Sequence, residues 1–131
     1  MSAELSQSQT ASPLCAADID AAAQRIAPVV TPTPLELSDR LSSITGARVY
    51  LKREDLQVVR SYKLRGAYNL LVQLAEHELA AGVVCSSAGN HAQGFAYACR
   101  TLGVHGRVYV PAEEHTTPAA SSSSDNCTSR L

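Results

Sequence analysis

The chain has 131 residues, of which 45% are hydrophobic and 18% are charged, as in ordinary soluble globular proteins with one core. Its formal net charge of −1 gives no electrostatic reason to expect nucleic acid or an anionic membrane as a partner. Its apolar runs fall short of the roughly 20 residues that a membrane-spanning helix needs. The first residues lack the basic and apolar regions of a secretory signal. We therefore expect a cytoplasmic protein with no nucleic-acid or membrane partner.

Four cysteines are spread along the chain, and no two of them form a Cys-x-x-Cys pair. This spacing fits neither a disulfide framework nor a zinc site, so we expect no metal. Cys85 lies in an apolar run and Cys99 on the apolar face of a predicted helix. We interpret both as small buried hydrophobic residues.

The first half of the chain contains two predicted helices and one predicted strand. Residues 1–13 are predicted to be a disordered leader. Apolar residues at helical spacing predict a helix over residues 18–30. The Thr-Pro-Thr-Pro sequence at residues 31–34 ends that helix and forces extended backbone. A short helix over residues 39–44, closed by Gly46, and a strand over residues 48–52 follow.

The second half alternates between helix and strand. A helix is predicted to begin at Ser61 as its N-cap and to run to about Leu79, with an apolar stripe at Leu64, Ala67, Tyr68, Leu71 and Ala75. A strand over residues 82–86, a helix from the turn at residues 88–90 to Gly103, and a strand over residues 106–110 follow. Alternation of this kind predicts the α/β class with parallel βαβ units. Such sheets bind ligands beyond the carboxyl ends of their strands.

Lys63 is one of only two lysines in the chain, the other being Lys52. It falls in the first turn of a predicted helix, where the helix dipole disfavours an ammonium group. A neutral amine is the nucleophile that bonds to an aldehyde cofactor. The alternative, which placement alone favours, is an ordinary solvated surface lysine.

The second candidate site is the turn from Ser86 to Gly94. Small residues expose backbone N–H groups where a strand ends and a helix begins, which suits a carboxylate or a phosphate. Asn90 adds an amide and His91 a titratable ring. The alternative is a plain turn in which Asn90 caps the helix. Because both candidate sites lie at successive βα junctions, we expect them to face the same edge of one sheet.

Two motifs in this order and spacing resemble a known family. Residues 61–67 (Ser-Tyr-Lys-Leu-Arg-Gly-Ala) resemble the Ser-Phe-Lys-x-Arg-Gly-Ala signature of the threonine ammonia-lyases, or threonine dehydratases, in the serine/threonine dehydratase family. Residues 49–57 are similar to the strand and acidic loop that precede this signature. Residues 87–94 (Ser-Ala-Gly-Asn-His-Ala-Gln-Gly) resemble the substrate-carboxylate loop of the same family. The resemblance runs from about Asp18 to Ala112.

The resemblance implies a tryptophan-synthase-β-like (fold type II) architecture and pyridoxal 5′-phosphate as the cofactor. It implies that Lys63 bonds to the cofactor and takes the substrate's α-proton, that Asn90 hydrogen-bonds the cofactor 3′-hydroxyl, and that Ser61 contacts the phosphate. The residues implied for the substrate carboxylate are Ser87, Gly89, Asn90 and His91. The implied reaction is the deamination of L-threonine to 2-oxobutanoate and ammonia, the first step toward isoleucine.

Alternatives within the family stay open. The chain has Ala88 where serine racemases of this family have a serine that serves as the second acid/base, which favours elimination over racemisation. A serine dehydratase or racemase relative remains the alternative among enzymes, with L-serine as substrate. The full-length family also implies a homo-oligomer.

The resemblance ends after Ala112, where a polar, serine-rich sequence begins. We therefore expect residues 14–112 to be the N-terminal part of a catalytic domain and residues 113–131 to be a disordered tail outside the family. The glycine-rich loop that would cradle the cofactor phosphate is not in the sequence. We accordingly expect an incomplete fold from a truncated or frameshifted reading frame, with little or no turnover. On that interpretation the chain is a non-catalytic remnant or an interface fragment.

Overall fold

A computed structural model describes residues 14–111 and the backbone of residues 127–129. The helices are α1 (Ala16–Ile26), α2 (Asp39–Thr45), α3 (Lys63–Leu71), α4 (Glu76–Ala81) and α5 (Asn90–Leu102). The strands are β1 (Leu35–Leu37), β2 (Tyr50–Lys52), β3 (Val83–Ser86), β4 (Gly106–Tyr109) and β5 (Cys127–Ser129), and a 3₁₀ turn covers Glu54–Leu56. None of the helices in these described ranges is long and apolar enough to cross a membrane.

Strands β3, β4 and β5 form a parallel sheet in that order. The register runs from Val83 opposite Gly106 to Ser86 opposite Tyr109, and α5 is the connection between β3 and β4. This confirms the predicted α/β class and one predicted βαβ unit. Three residues of the predicted tail lie in β5, whereas the predicted leader and the rest of the tail lie outside the described residues.

The prediction that residues 48–52 belong to the same parallel series is wrong. These residues contain β2, which pairs antiparallel with β1 in a separate two-stranded sheet. Pro34 holds the chain extended into β1, and its carbonyl accepts a hydrogen bond from the Arg53 backbone N–H at 3.1 Å. The predicted extended backbone at residues 31–34 leads into β1, but no strand was predicted at residues 35–37.

Three predicted helix boundaries also need correction. The helix predicted from Ser61 begins at Lys63 with Tyr62 at its N-cap, and Ser61 is buried instead of capping it. This helix ends at Leu71, and α4 is separate because the backbone of Ala75 is extended. Helix α1 ends at Ile26, because Pro28 lacks the N–H that would continue it. The predicted caps at Gly46 and Gly103 are confirmed, with φ of 68° and 67°.

The core lies between α3 and α5, with β4 beneath them. Its members are the buried apolar residues of these elements and one neighbour: Val59, Leu64, Ala67, Tyr68, Leu71, Phe95, Ala98, Cys99 and Val108. The predicted stripe on α3 is confirmed except for Ala75, and Cys99 is buried as predicted, whereas Cys85 is only partly buried. Both motifs singled out in the sequence therefore stand on helices that share one core.

Gly94 sets how closely these helices approach. A Cβ atom at Gly94 would lie 2.9 Å from the carbonyl carbon of Lys63 and 2.9 Å from the backbone nitrogen of Leu64. Such distances are shorter than non-bonded contacts allow, and the atoms concerned are backbone. The second turn of α5 therefore rests directly on the first turn of α3.

A buried carboxylate joins the two-stranded sheet to this core. Glu54 accepts hydrogen bonds at 2.8 Å from both Nε and Nη2 of Arg65 on α3, and at 2.7 Å from Oγ1 of Thr33. Its side chain is only 15% exposed. The Arg65 hydrogen bonds are the main cause that lowers the pKa of Glu54 to about 2, against burial, which raises it. Glu54 is therefore charged in the folded protein far below neutral pH.

Beside this carboxylate, Gln57 fixes the extended segment that precedes β1. The residue is 1% exposed. Its amide oxygen accepts from the Thr31 N–H at 3.1 Å, and its amide nitrogen donates to the Thr31 carbonyl at 2.8 Å. The Glu54 and Gln57 side chains together hold the segment at residues 31–33 against the turn that follows β2.

We predict that Glu54→Gln lowers the free energy of unfolding by about 2 kcal/mol at pH 7, because it weakens a charge-assisted pair. The pKa of Glu54 falls from 4.5 to about 2 on folding, so the wild-type contribution is complete above pH 4.5 and disappears as the pH falls toward 2. Urea unfolding at several pH values measures this. The difference in the free energy of unfolding between wild type and variant should become smaller as the pH falls through that range.

The matched control is Glu36→Gln, which removes the partner of Arg53 in an exposed ion pair. That pair contributes little, so this variant should unfold like the wild type. A Glu54→Gln difference that is the same at pH 7 and pH 2.5 would contradict the assigned role of the charge.

We further predict that Gly94→Ala destabilises the fold by about 1–3 kcal/mol, because the new methyl group overlaps the Lys63 backbone. Thermal unfolding followed by circular dichroism measures the change. Gly66→Ala on α3 is the control, since a Cβ there meets nothing within 4 Å. Because alanine has a better helix propensity than glycine, Gly66→Ala should leave the free energy of unfolding unchanged or raise it by up to about 1 kcal/mol. Equal effects of the two substitutions would refute the close approach.

Candidate functional site

Lys63 is the first residue of α3 and is half-buried. Its Nζ lies 4.8 Å from the centroid of the Tyr62 ring, and no hydrogen bond or ion pair to Nζ occurs among the described residues. Lys52 differs, because its Nζ donates to the Thr33 carbonyl at 2.5 Å. Within residues 14–111, therefore, only Lys63 of the two lysines has an amine without a hydrogen-bond acceptor.

The chain enters α3 through a strained turn. Arg60 has a φ of 57°, in the left-handed region that side chains with a Cβ avoid at a cost of about 1–2 kcal/mol. Its N–H donates to the Gln57 carbonyl at 2.8 Å. This turn carries Ser61 into the interior, where the residue is 5% exposed and its Oγ has no hydrogen-bond partner.

An unpaired buried hydroxyl costs about 1–3 kcal/mol, so the arrangement calls for an explanation. Ser61 lies two residues before the lysine that the resemblance assigns to pyridoxal phosphate. A phosphate or hydroxyl group of a ligand would supply the missing acceptor or donor. The residues present therefore fit the cofactor in one observable respect: two residues before Lys63 lies a buried hydroxyl that has no partner in the part of the chain that the structure describes.

The second motif forms the turn from β3 into α5. Ser87 extends the sheet by donating its N–H to the Tyr109 carbonyl at 3.0 Å, and its Oγ accepts from the Gly89 N–H at 3.3 Å. Gly89 is the N-cap of α5, so the alternative in which Asn90 caps the helix is wrong. The first N–H groups of a helix lack intrahelical partners, and at the positive end of the dipole they attract anions.

The structure brings Lys63 and this turn together through the helix contact. Gly94 rests on the backbone of Lys63, and Asn90 precedes Gly94 by four residues, about 6 Å along the helix axis. The expectation that both sites share one sheet edge is wrong, because β2 belongs to the other sheet. Helix packing, and not strand order, makes the two sites neighbours.

His91 is exposed but also borders an apolar cavity of about 210 Å³ between α3, β3 and α5. The other lining residues are Ala67, Leu70, Leu71, Leu74, Val83, Val84, Cys85 and Phe95. Ser87 and Gly89 do not line it. Of the predicted carboxylate-binding residues, His91 is thus the one whose surroundings are largely apolar.

Sequence reasoning did not single out Tyr62, Gly94 or the Glu54–Arg65 pair. A glycine inside an amphipathic helix is a signal for close packing, and Gly94 could have been found from it. The Glu54–Arg65 pair joins two segments eleven residues apart, and no periodicity points to it. Tyr62 was noted only as one residue of the motif at residues 61–67.

Comparison with known proteins agrees with this geometry. The family model described as "Pyridoxal-phosphate dependent enzyme" matches residues 26–122, which extends past Ala112. The chain is 83% identical over 116 residues to the L-threonine dehydratase biosynthetic IlvA of Mycobacterium bovis. That alignment covers 86% of this chain and 27% of the relative. The chain therefore spans about a quarter of the length of this curated relative.

Solved structures of similar proteins include two with clear sequence similarity. Serine racemase from Dictyostelium discoideum has a TM-score of 0.70 and 37% identity, covering 76% of this chain and 33% of that one. The processed form of threonine deaminase isoform 2 from Solanum lycopersicum has a TM-score of 0.62 and 40% identity, covering 79% and 29%. The extent of the family match is decisive: the chain belongs to the family of pyridoxal-phosphate dependent enzymes.

Proposed function

We propose that this chain carries the cofactor lysine and the substrate-carboxylate turn of a threonine ammonia-lyase, which deaminates L-threonine to 2-oxobutanoate and ammonia. The observation that carries the proposal is the contact of Gly94 with the backbone of Lys63, because it brings the residue with the candidate amine to the first turns of the helix whose start can bind an anion. The high identity to a protein named L-threonine dehydratase supports the choice of substrate.

Three residues are proposed for the cofactor. Pyridoxal phosphate, when bound, supplies an aldehyde for a lysine amine and a ring that takes up electrons from the substrate. Among the residues that the structure describes, the Lys63 amine has no competing hydrogen bond and the buried Ser61 hydroxyl has no partner. The Asn90 side chain, at the start of α5, is proposed to hydrogen-bond the cofactor 3′-hydroxyl.

Four residues are proposed for the substrate carboxylate: Ser87, Gly89, Asn90 and His91. Backbone N–H groups at the start of α5 point toward an anion without needing side-chain rearrangement. His91 contributes through its backbone N–H, since the residue borders the apolar cavity. Lys63 Nζ, once free of the cofactor, takes the α-proton of the bound substrate.

The residue at position 88 favours elimination over racemisation. Ala88 lies exposed in the turn between β3 and α5, and its methyl group cannot carry a proton to the second face of a substrate. Inverting a substrate requires an acid on that face. The proposed activity is therefore that of a lyase, although a serine racemase is among the similar structures. L-Serine remains the alternative substrate.

The remaining proposals concern the setting of the protein. The relative is a biosynthetic enzyme by its name, and we infer a cytoplasmic location, small-molecule substrates and a homo-oligomeric full-length protein. The second candidate function is a non-catalytic remnant or an interface fragment.

We predict that borohydride reduction in the presence of pyridoxal phosphate adds the cofactor mass to Lys63 selectively. The Nζ of Lys52 is held by the Thr33 carbonyl, and the Nζ of Lys63 is not. Digestion and mass spectrometry locate the added mass. The N-terminal amine and Lys52 report nonspecific labelling within the same sample.

Lys63→Arg is the matched variant, which keeps the charge and removes the reactive amine. It should abolish the selective label and leave the background at Lys52 unchanged. Equal labelling of Lys52, Lys63 and the N-terminal amine would show that no cofactor site is organised, and it would leave the remnant or interface function standing.

We predict opposite effects of Ser61→Ala on stability and on cofactor capture. Removing an unpaired buried hydroxyl should raise the free energy of unfolding by about 1 kcal/mol. The same change should slow labelling of Lys63, because the proposed phosphate contact is lost. Urea unfolding and time-resolved labelling measure the two effects. Faster labelling in the alanine variant would show that the hydroxyl has no part in binding the cofactor.

A further inference from the structure

Tyr62 and Lys63 make a contact that neither the fold nor the proposed binding residues explain. The Tyr62 ring is 58% exposed and contributes nothing to the core. Its face lies 4.8 Å from the Nζ of Lys63. A cation at this distance from a ring centroid is attracted by the negative face of the π system.

The contact differs from the Arg48–Tyr50 pair and resembles the Arg100–Tyr97 pair, in which the guanidinium lies 5.3 Å from the ring centroid. In the Arg48–Tyr50 pair the guanidinium also hydrogen-bonds the tyrosine hydroxyl. The amine of Lys52 is held by a carbonyl. Among the described residues, the ring face of Tyr62 is the only group that holds the Lys63 ammonium in place.

The geometry follows from where the two residues stand. Tyr62 is the N-cap of α3 and has helical backbone angles (φ −69°, ψ −11°), so its ring lies beside the first side chain of the helix. At that end the helix dipole repels an ammonium group. The ring face supplies local attraction that opposes this repulsion and confines an otherwise flexible side chain.

We propose that Tyr62 is a positioning residue that holds the Lys63 side chain over its ring face whenever the amine is not bonded to the cofactor. This inference rests on the proposed function, in which Lys63 bonds to the cofactor and is later displaced. Nζ would leave the ring face on bonding to the cofactor. It would return there as an ammonium group after accepting the substrate's α-proton.

The first test needs no cofactor. A ring face shifts nearby protons upfield, so the ε-methylene protons of Lys63 should resonate upfield of those of Lys52 in the wild type. Tyr62→Phe keeps the ring face and should keep the shift. Tyr62→Leu removes the face and should move the signal to the position seen for Lys52. An unchanged Lys63 signal in Tyr62→Leu would overturn the proposal.

The second test measures reactivity. Reductive methylation with formaldehyde consumes the neutral amine, and Tyr62→Leu removes a contact that only the charged form makes. An exposed contact of this kind corresponds to a factor of about two to five, so Lys63 should react two- to fivefold faster in Tyr62→Leu. The rate at Lys52, and both rates in Tyr62→Phe, should stay as in the wild type. An unchanged or slower rate at Lys63 would count against the proposal.

The two proposals fail separately. Because the Tyr62 ring is exposed, all three proteins should give the same circular dichroism spectrum, and the two readouts then report on the amine alone. Nonselective labelling by pyridoxal phosphate would refute the proposed function, and the contact between Tyr62 and Lys63 could still be measured. If the Lys63 ε-methylene protons showed no upfield shift while pyridoxal phosphate labelled Lys63 selectively, the role of Tyr62 would be refuted and the proposed function would stand.

Discussion

The carboxylate of Glu54 is the constraint on which the rest of the structure depends. Both strands of the β1–β2 sheet are exposed along their whole length, so this sheet buries no apolar face against the core. Its attachment is polar instead: Arg65 from α3 and Thr33 from the segment before β1 meet on Glu54. Since charge-assisted hydrogen bonds are directional, they fix orientation as well as proximity. The start of α3, with Lys63, is oriented by this attachment.

Unfavourable local features are concentrated in the same short segment. Arg60 is the one residue other than glycine with a positive φ among the described residues, and Ser61 is buried without a partner. Folded proteins retain such features where the surrounding structure determines them, and they cluster at binding sites. Here the surrounding structure is the Glu54–Arg65 pair on one side and the contact with Gly94 on the other.

The sequence predicted the features that repeat and missed those that depend on a distant partner. The stripe on α3, the βαβ unit of β3, α5 and β4, and the glycine caps follow from periodicity and backbone chemistry, and all were predicted. The β1–β2 pairing was missed, because strands of three residues are too short for their apolar pattern to indicate a strand or its partner. The start of α3 was misplaced because Ser61 resembles a cap, and only the tertiary structure shows that it is buried. The two motifs were found, but their closeness comes from a glycine whose packing partner is a backbone thirty-one residues away.

That short separation between Lys63 and Gly94 has a kinetic consequence. Contacts between residues close in sequence require little loop-closure entropy, so they form early and quickly as a chain folds. The α3–α5 crossing needs only the intervening strand β3 and two helices from nearby sequence, and it does not require the β1–β2 sheet. The neighbourhood of Lys63 is therefore assembled as a local folding unit, and the polar attachment through Glu54 orients a helix pair that already exists.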